Sequence, residues 1–395
     1  MQIVIRKEYF MPYVVCKQSP IIHQMSFEDI LNNNIDISKI LVSNKGNTRT
    51  FYRKNLDNRI LEQLDLSSLI AKLSAFILKY QPLFEADRQS LYTKFPIAKK
   101  TGGVRIISAP CDALKIALTE LKNIFENDFG ALYHTSAYAY IKNRNTVDCA
   151  KKHQSNESKW FAKLDFSDFF GSTTEEFVFR TFSDIFPFSE VVKTSVGKVA
   201  LEQCLSLCFL DGGLPQGTPI SPTITNIMMI PIDHYLANHF RKMENQFVYT
   251  RYADDIFVSS RYDFDIKFVQ SFIEDTLKMF NSPHCINKKK TRYGSSAGRN
   301  WMLGVMLNKD NKITLGHKNH KTFKAVLTNY VRDCKSGNRW EPNEVQVLQG
   351  NISYYRMVEE EYIDYIIEHY NEKFGVDIHE LIKADLRGDD ILPVK

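Results

Sequence analysis

Hydrophobic positions along this chain follow two spacings, and the switches between them mark its elements. Leu61, Leu64, Leu69, Leu73 and Ile77 recur at helical intervals after a polar loop around Asn44–Arg49. Residues 112–129 predict an amphipathic helix, with Asp112 as its cap and Leu114, Leu118, Leu121 and Phe125 on one face. A third helical pattern covers 265–280, with Val269, Phe272, Ile273, Leu277 and Phe280 inward. Ser221-Pro222 predicts a helix start, Ser as cap and Pro in the first turn, continued by Ile224, Ile227 and Met228 and kinked at Pro231. Cys204 and Cys208, four apart in an apolar stretch, read as one helix face rather than a metal site. The short-period segments are strands. One runs from Trp160 to Asp165, and two more, Phe247-Val248-Tyr249 and Ile256-Phe257-Val258, flank a break at Asp254-Asp255. Helices and strands interleave around that antiparallel hairpin, so the expected class is α+β.

The hairpin tip carries the chemistry. Two adjacent carboxylates in a turn are usually just solvated, so the pair needs support from elsewhere. Hard oxygen ligands suit Mg²⁺, which keeps waters and shares its shell with substrate phosphates. A two-metal clamp runs in-line nucleotidyl transfer and needs a further carboxylate. Asp165, at the end of its own apolar strand, is the expected third; Asp168 is read as a polar neighbour. Gly102-Gly103 predicts a second hairpin tip, with Lys99, Lys100 and Arg105 around it either as phosphate-binding cations or, as is more common for such a loop, as plain surface. Gly217, having no Cβ, lets the backbone beside Gln216 come close to a nucleotide.

These segments resemble, in order, the boxes of reverse transcriptases. Lys99–Ile107 is similar to the fingers box, and Asp165 with Phe169-Phe170 to the first catalytic box. Leu214–Pro222 is similar to the Pro-Gln-Gly box, and Tyr252-Ala253-Asp254-Asp255 to the signature box. Asn287–Thr291 is similar to the Lys-Thr box, and Leu303-Gly304 within 301–308 to the primer grip. The resemblance covers roughly residues 90–310 and lies with the bacterial retron, group II intron and defence-associated enzymes. It implies a right-hand polymerase: an N-terminal extension over 1–85, fingers and palm over 86–310 with an antiparallel palm sheet, and a helical thumb and tail over 311–395.

The resemblance also assigns roles. Asp165, Asp254 and Asp255 hold two Mg²⁺ ions, Mn²⁺ being an alternative. Lys99, Lys100, Arg105, Phe170, Gln216 and Gly217 bind the incoming dNTP, with the Phe170 ring excluding a ribose 2′-hydroxyl. Phe169 or Phe170 is otherwise a core residue, because alternate strand residues face opposite ways. Lys290 protonates the pyrophosphate leaving group, or belongs with Lys288 and Lys289 to a solvated basic run. Lys318, Lys321 and Lys324, within a basic stretch from Lys309 that includes His317 and His320, contact an RNA–DNA hybrid, or open a solvated helix. Tyr354, Tyr355, Tyr362, Tyr365 and Tyr370 are at helical spacing, most for packing and one or two for stacking on bases.

Two departures bear on the subgroup. Cys149-Ala150-Lys151-Lys152-His153 keeps the Ala and His of a retron box but not its Asn, and Met302-Leu303-Gly304 keeps only the Gly of a Val-Thr-Gly. The reading is therefore an RNA-directed DNA polymerase serving anti-phage defence on a dedicated non-coding RNA, with an accessory or effector protein and a homo-oligomer both open. Alternatives are untemplated or protein-primed synthesis on the same palm, a standard retron enzyme making RNA-linked DNA, and an inactive RNA-binding module. Composition adds limits only. A net charge of +5 is too mild to argue for nucleic acid by itself. The seven scattered cysteines fit reduced thiols in a bacterial cytoplasm. No signal peptide or membrane span is visible.

Overall fold

The computed structural model describes residues 66–98, 102–128, 133–297 and 303–388. Lys99, Lys100, Trp301, Met302 and the first 65 residues lie outside it. In chain order the elements are α1 (Leu66–Lys79), α2 (Gln81–Glu85), β1 (Tyr92–Ala98), β2 (Val104–Pro110), α3 (Asp112–Asn123) and α4 (Thr146–Gln154). There follow β3 (Trp160–Asp165), α5 (Glu175–Ser183), α6 (Phe188–Val191), α7 (Ser195–Ser206), α8 (Ser221–Met228) and α9 (Ile230–Lys242). The remainder is β4 (Val248–Tyr252), β5 (Asp255–Ser260), α10 (Ile266–Met279), β6 (Arg292–Ser295), β7 (Met306–Leu307), β8 (Ile313–Thr314), α11 (Gly316–Lys335), α12 (Pro342–Phe374) and α13 (Ile378–Arg387). A four-stranded sheet has the order β4-β5-β3-β6, and β1-β2 and β7-β8 form separate two-stranded ladders.

The chain divides into two compact units that are not contiguous in sequence. Among the described residues, one comprises those between 66 and 144, 162–258 and 264–292, and the other 145–161, 259–263 and those between 293 and 388. The boundaries fall inside β3, β5 and β6.

In the first unit the helical periodicities become buried stripes. Leu114, Leu118, Leu121 and Phe125 are all inaccessible to solvent. The cap of α3 differs from expectation: Cys111 is the N-cap without a side-chain bond, and Asp112 is the first-turn acid. An acid there still complements the exposed N–H groups of the helix start. The helical run also changes character after Asn123, where Ile124–Asp128 form a π-turn. Val269, Ile273 and Leu277 face the core from α10, capped by Asp265. Cys204 and Cys208 are buried on and just after α7, and burial pushes the Cys204 thiol up to about 12, so both act as apolar filler.

Ser221 does not cap α8. The N-cap position is Ile220, and the Ser221 hydroxyl instead donates to the Pro215 carbonyl and meets Thr218 Oγ1. A buried hydroxyl bonds wherever an acceptor is aimed at it, and the preceding loop folds back far enough to supply one. Pro222 is in the first turn as expected, and the break before Pro231 separates α8 from α9.

In the second unit, α11, α12 and α13 enclose their own core of Phe323, Leu327, Tyr330, Val331, Leu348, Ile352, Ile363, Ile366 and Ile382. Helix α12 is kinked at Glu359 (φ −142°, ψ 67°). The Glu359 carboxylate accepts from the Leu315 N–H and from His320 Nε2 at 2.6 Å. Burial would raise that carboxyl, but His320 and the Leu315 amide hold it below its ordinary value. His320 thus serves the fold of this unit rather than the solvated basic stretch. Tyr354, Tyr355, Tyr362 and Tyr370 pack on the core, while Tyr365 is exposed.

Candidate active site

β4 and β5 are hydrogen-bonded neighbours joined by a turn at Ala253-Asp254, so they run antiparallel. Ala253 adopts a left-handed φ of 55° at this turn. β3 lies next to β5, and this adjacency gathers the acids. The Phe166 N–H donates to the Asp254 carbonyl at 3.0 Å, which fixes the end of β3 beside the hairpin tip. On the other side of β3, the Asn287 N–H donates to the Asp165 carbonyl at 2.7 Å. That bond brings the Lys-Thr segment to the same point.

Two lysines enter the cluster. Lys290 Nζ lies 3.0 and 3.2 Å from the two Asp165 oxygens, and Lys163 Nζ lies 2.7 Å from Asp255 Oδ2. Even so, the cluster is short of positive charge. Burial, and then the neighbouring Asp165, raise the Asp254 carboxyl above its usual range, with Lys290 and Lys163 only partly offsetting them. Burial likewise raises Asp255 against the pull of Lys163, with Asp254 and Asp165 adding to the rise. Carboxylates that share a site repel one another in this way. A bound dication relieves the repulsion, and hard oxygen donors suit Mg²⁺. Among the described residues, no three or more His, Cys, Asp or Glu side chains already form a metal cage. Mg²⁺ sites of nucleotide-handling enzymes draw much of their shell from waters and substrate phosphates, so the donor set fits.

Lys163 was not picked out from the sequence, although a signal was there. It stands two residues before Asp165, and strand alternation puts i and i+2 on one face. Which strand would lie alongside is a tertiary fact, and that strand carries Asp255 and Phe257, the latter with Lys163 Nζ 5.5 Å from its ring centre. Tyr140 was also missed. It is exposed, adopts φ 60°, and stands within electrostatic reach of Asp254 and Arg105.

Asp168 is exposed in the turn after β3 at φ 44°, and a Cβ on Gly171 would collide with its carboxylate. It shapes that turn, as a polar neighbour. Phe169 and Phe170 lie on the turn, so strand alternation is not what separates them. Phe169 is buried between Phe166 and His284, whereas Phe170 is half-buried. The Leu214 N–H donates to the Phe170 carbonyl at 2.9 Å, tying this ring to the start of the Pro-Gln-Gly segment. Beneath them His284 meets Thr173 Oγ1 and Ser282 Oγ, and burial lowers it to about 4.

The fingers hairpin forms with Ile97 opposite Arg105 and Ala98 opposite Val104. Gly102 and Gly103 at its tip both have left-handed φ, as a tight turn requires. Arg105 is exposed on β2. The Ser108 N–H donates to the Gln216 carbonyl at 2.8 Å. Gly217 (φ 121°) sits so close that a Cβ would lie 2.8 Å from Ile107 Cγ2 and 3.0 Å from the Ser108 carbonyl. The close approach that requires Gly217 is thus to β2. Lys290 ends a short 3₁₀ turn, Lys288–Lys290, in which Lys288 pairs at 3.6 Å with Glu274. Lys318 and Lys321 are exposed on α11, and Lys324 is half-buried with Nζ 5.6 Å from the Tyr362 ring centre.

His153, the residue kept from the retron box, is fully buried on α4. Its Nδ1 is 2.6 Å from Ser259 Oγ, and burial lowers it to about 3. It is a neutral packing residue, and the neighbouring Cys149 is buried too.

Residues 97–324 match the family profile described as reverse transcriptase (RNA-dependent DNA polymerase). The Retron Ec73 reverse transcriptase of Escherichia coli is 31% identical over 268 residues, which is 66% of this chain and 81% of that protein. The Retron Ec83 reverse transcriptase of the same organism is 29% identical over 302 residues, 74% of this chain and 91% of that protein. Among solved structures, apo telomerase from Candida tropicalis aligns at a TM-score of 0.42 and 13% identity, over 76% of this chain and 62% of that one. Among the described residues, no helix is long and apolar enough to cross a membrane. The Cys149 and Leu303 departures do not take the chain away from the retron enzymes, and with a right-hand α+β architecture and an RNA-directed DNA polymerase domain it belongs to the retron-type reverse transcriptases.

Proposed function

We propose that this enzyme copies a dedicated non-coding RNA into DNA by two-metal nucleotidyl transfer at Asp165, Asp254 and Asp255. The observation that carries the reading is the charge-deficient carboxylate cluster, in which burial and then Asp165 raise Asp254, and burial and then Asp254 and Asp165 raise Asp255, despite Lys163 and Lys290. Two Mg²⁺ ions, when bound, supply Lewis-acid charge at the attacking and leaving oxygens. Lys163 holds Asp255 in place through its 2.7 Å contact. Lys290, in the substrate-free cluster a counter-ion to Asp165, has a side chain 60% exposed and free to swing toward a leaving pyrophosphate. Arg105, with Lys99 and Lys100, receives the triphosphate. Phe170 supports the sugar and disfavours a 2′-hydroxyl, while the Gln216-Gly217 backbone braces the fingers strand. Lys318, Lys321 and Lys324 follow the backbone of the RNA–DNA hybrid.

The cellular role we infer is anti-phage defence, supported by the resemblance to defence-associated enzymes, with an accessory or effector protein as a further partner. The test is to purify the protein from its native locus and sequence the nucleic acid that accompanies it as both RNA and DNA. A discrete small RNA with complementary DNA is expected. DNA without a complementary RNA would point instead to untemplated or protein-primed synthesis. Phage plating on cells carrying wild type or Asp254→Ala then reads the defence role, which fails if both strains are equally protected or equally sensitive.

A further inference from the structure

Behind the Ala253-Asp254 turn lies a charge that the chemistry does not use. Arg251, on β4 two residues before Ala253, is wholly buried, and so is its partner Asp233 on α9. Arg251 Nε donates to both Asp233 oxygens at 2.9 and 3.2 Å, and Nη2 donates to Asp233 Oδ2 at 2.8 Å. The Tyr249 hydroxyl donates to Asp233 Oδ1 at 2.7 Å, which completes the pair's acceptor side. Two further donors of the guanidinium leave the pair. Nη2 donates to Asn226 Oδ1 on α8 at 3.2 Å, and Nη1 donates to the Ala253 carbonyl at 3.1 Å. Asn226 passes the connection on, donating to the Ala139 carbonyl at 2.9 Å.

A buried ion pair is a poor device for stability alone, because desolvation consumes most of the attraction and an apolar pair of similar volume does as well or better. The informative contact is therefore the one that goes elsewhere. Ala253 carries a Cβ at φ 55°, a conformation that L-residues other than Gly, Asn and Asp seldom hold unless their surroundings impose it. Its carbonyl is the acceptor that Arg251 grips, and the next two residues are Asp254 and Asp255. The Arg251 backbone is itself fixed, since its N–H donates to the Ser136 carbonyl at 2.7 Å and its carbonyl accepts from the Tyr138 N–H at 2.9 Å. The planar fork of an arginine can serve Asp233, Asn226 and Ala253 at once, which a lysine cannot.

We propose that Arg251, clamped by Asp233, is a positioning residue of this polymerase: it fixes the Ala253 carbonyl and so the left-handed turn that aims Asp254 and Asp255. The proposal rests on the reading of those acids as metal ligands. It predicts that loss of the fork harms the chemical step more than it harms the fold or nucleotide binding.

The test uses the full-length protein on poly(rA)·oligo(dT) with dTTP, and compares wild type, Asp254→Ala, Arg251→Lys and the double variant Arg251→Met/Asp233→Leu. Thermal unfolding, kcat, KM for dTTP and the Mg²⁺ concentration at half-maximal rate are measured for each. The double variant removes both charges, so it is expected to melt close to wild type. Its kcat should fall about 100-fold, the scale on which ~1 Å of misplacement acts, with KM for dTTP little changed and the Mg²⁺ requirement raised. Arg251→Lys keeps the charge opposite Asp233 and should fall about 10-fold, as one part of the fork is lost. Wild-type kcat and Mg²⁺ dependence in either folded variant overturn the proposal. If the double variant does not fold, Arg251→Lys decides by the same criterion. Synthesis by Asp254→Ala would instead sink the two-metal reading itself, whereas an inactive Asp254→Ala beside active Arg251 variants sinks only the positioning role.

Discussion

The unit with the acids and the unit with α11–α13 solve burial with different materials. In the first, Arg251, Asp233, Asn226, His234 and Thr250 lie in the interior, and Asp165 is almost covered. In the second, the enclosed residues of the three helices are mostly Leu, Ile, Val, Phe and Tyr; their polar contacts include the buried Tyr330–Asp385 hydrogen bond and the half-buried Glu359–His320 pair at the kink of α12, and the unit also buries the His153–Ser259 pair. A core of helices needs only matching apolar stripes to form. A site that must hold three like charges on neighbouring strands needs buried donors and acceptors, each satisfied, to keep those strands in one arrangement. The cost is sensitivity: removing one member of a polar network leaves another unpaired, whereas trimming an apolar core leaves only a cavity.

The hardest way to break the comparison is at the acids. Asp254→Ala or Asp165→Ala should lower primer extension by at least about 1000-fold, the scale of removing a group that meets transition-state charge. Neither should lower the unfolding temperature. For Asp254 the sign is definite. Its folded carboxyl is raised, so the stability it contributes is full below the unfolded value of 3.8 and lost as pH rises through the folded value. At pH 7 the charge opposes folding, and Asp254→Asn should therefore melt higher than wild type, with the gain fading as pH falls toward 4. Calorimetry across that pH range checks it; a variant that melts lower at pH 7 contradicts the charge-deficient cluster.

Next in size is the contrast between polar and apolar cores. Arg251→Met alone strands the buried Asp233 and should cost about 3–5 kcal/mol, recovered when Asp233→Leu is added. Leu327→Ala, in the helical unit, should cost about 2–5 kcal/mol through a cavity, and no neighbouring truncation should recover it. Urea unfolding of the four variants reads both. If the second palm substitution does not rescue the first, the two cores are less different than their contents.

Acid should act on both units, through His284 in the first and through His153, lowered by burial to about 3, in the second. His284 is lowered by burial to about 4, so its contribution is full above the unfolded value of 6.5 and is lost as pH falls from there toward the folded value. That loss amounts to about 3 kcal/mol at its limit. His284→Gln, which keeps hydrogen-bonding atoms near Thr173 and Ser282, should flatten the decline in stability between pH 6.5 and 4. An unchanged slope would show that His284 is not the group that titrates.

The smallest effect belongs to the helical unit's polar pair. Glu359→Gln should cost only about 1 kcal/mol, because the pair is partly solvated and an amide oxygen can still accept from the Leu315 N–H. A loss as large as that of Arg251→Met would mean that the kink of α12, and not its apolar core, holds this unit together.

Much of the site was legible as sequence because its signals are local. Asp254-Asp255 interrupt two strand-forming runs, Asp165 ends a third, and Gly102-Gly103 can only be a tight turn; each follows from backbone preferences over a few residues. Helix stripes were equally plain, since Leu114, Leu118 and Leu121 need no partner to reveal their face. What failed were statements about partners. Ser221 has the composition of a cap, yet its hydroxyl found the Pro215 carbonyl. At Gly217 the missing Cβ leaves room for β2, a neighbour the sequence did not name. His320 belonged by composition to a basic stretch, but Glu359, 39 residues away, claimed it.

The sequence by itself indicated the class of fold, several of its elements and the three candidate acids, because strand, turn and helix preferences act between near neighbours. Only the tertiary structure decided which strand lies beside which, and with it the roles of Lys163, Arg251 and Asp233. Their partners are brought close by sheet order and helix packing, and Coulomb and hydrogen-bond energies depend on distance in space, not along the chain.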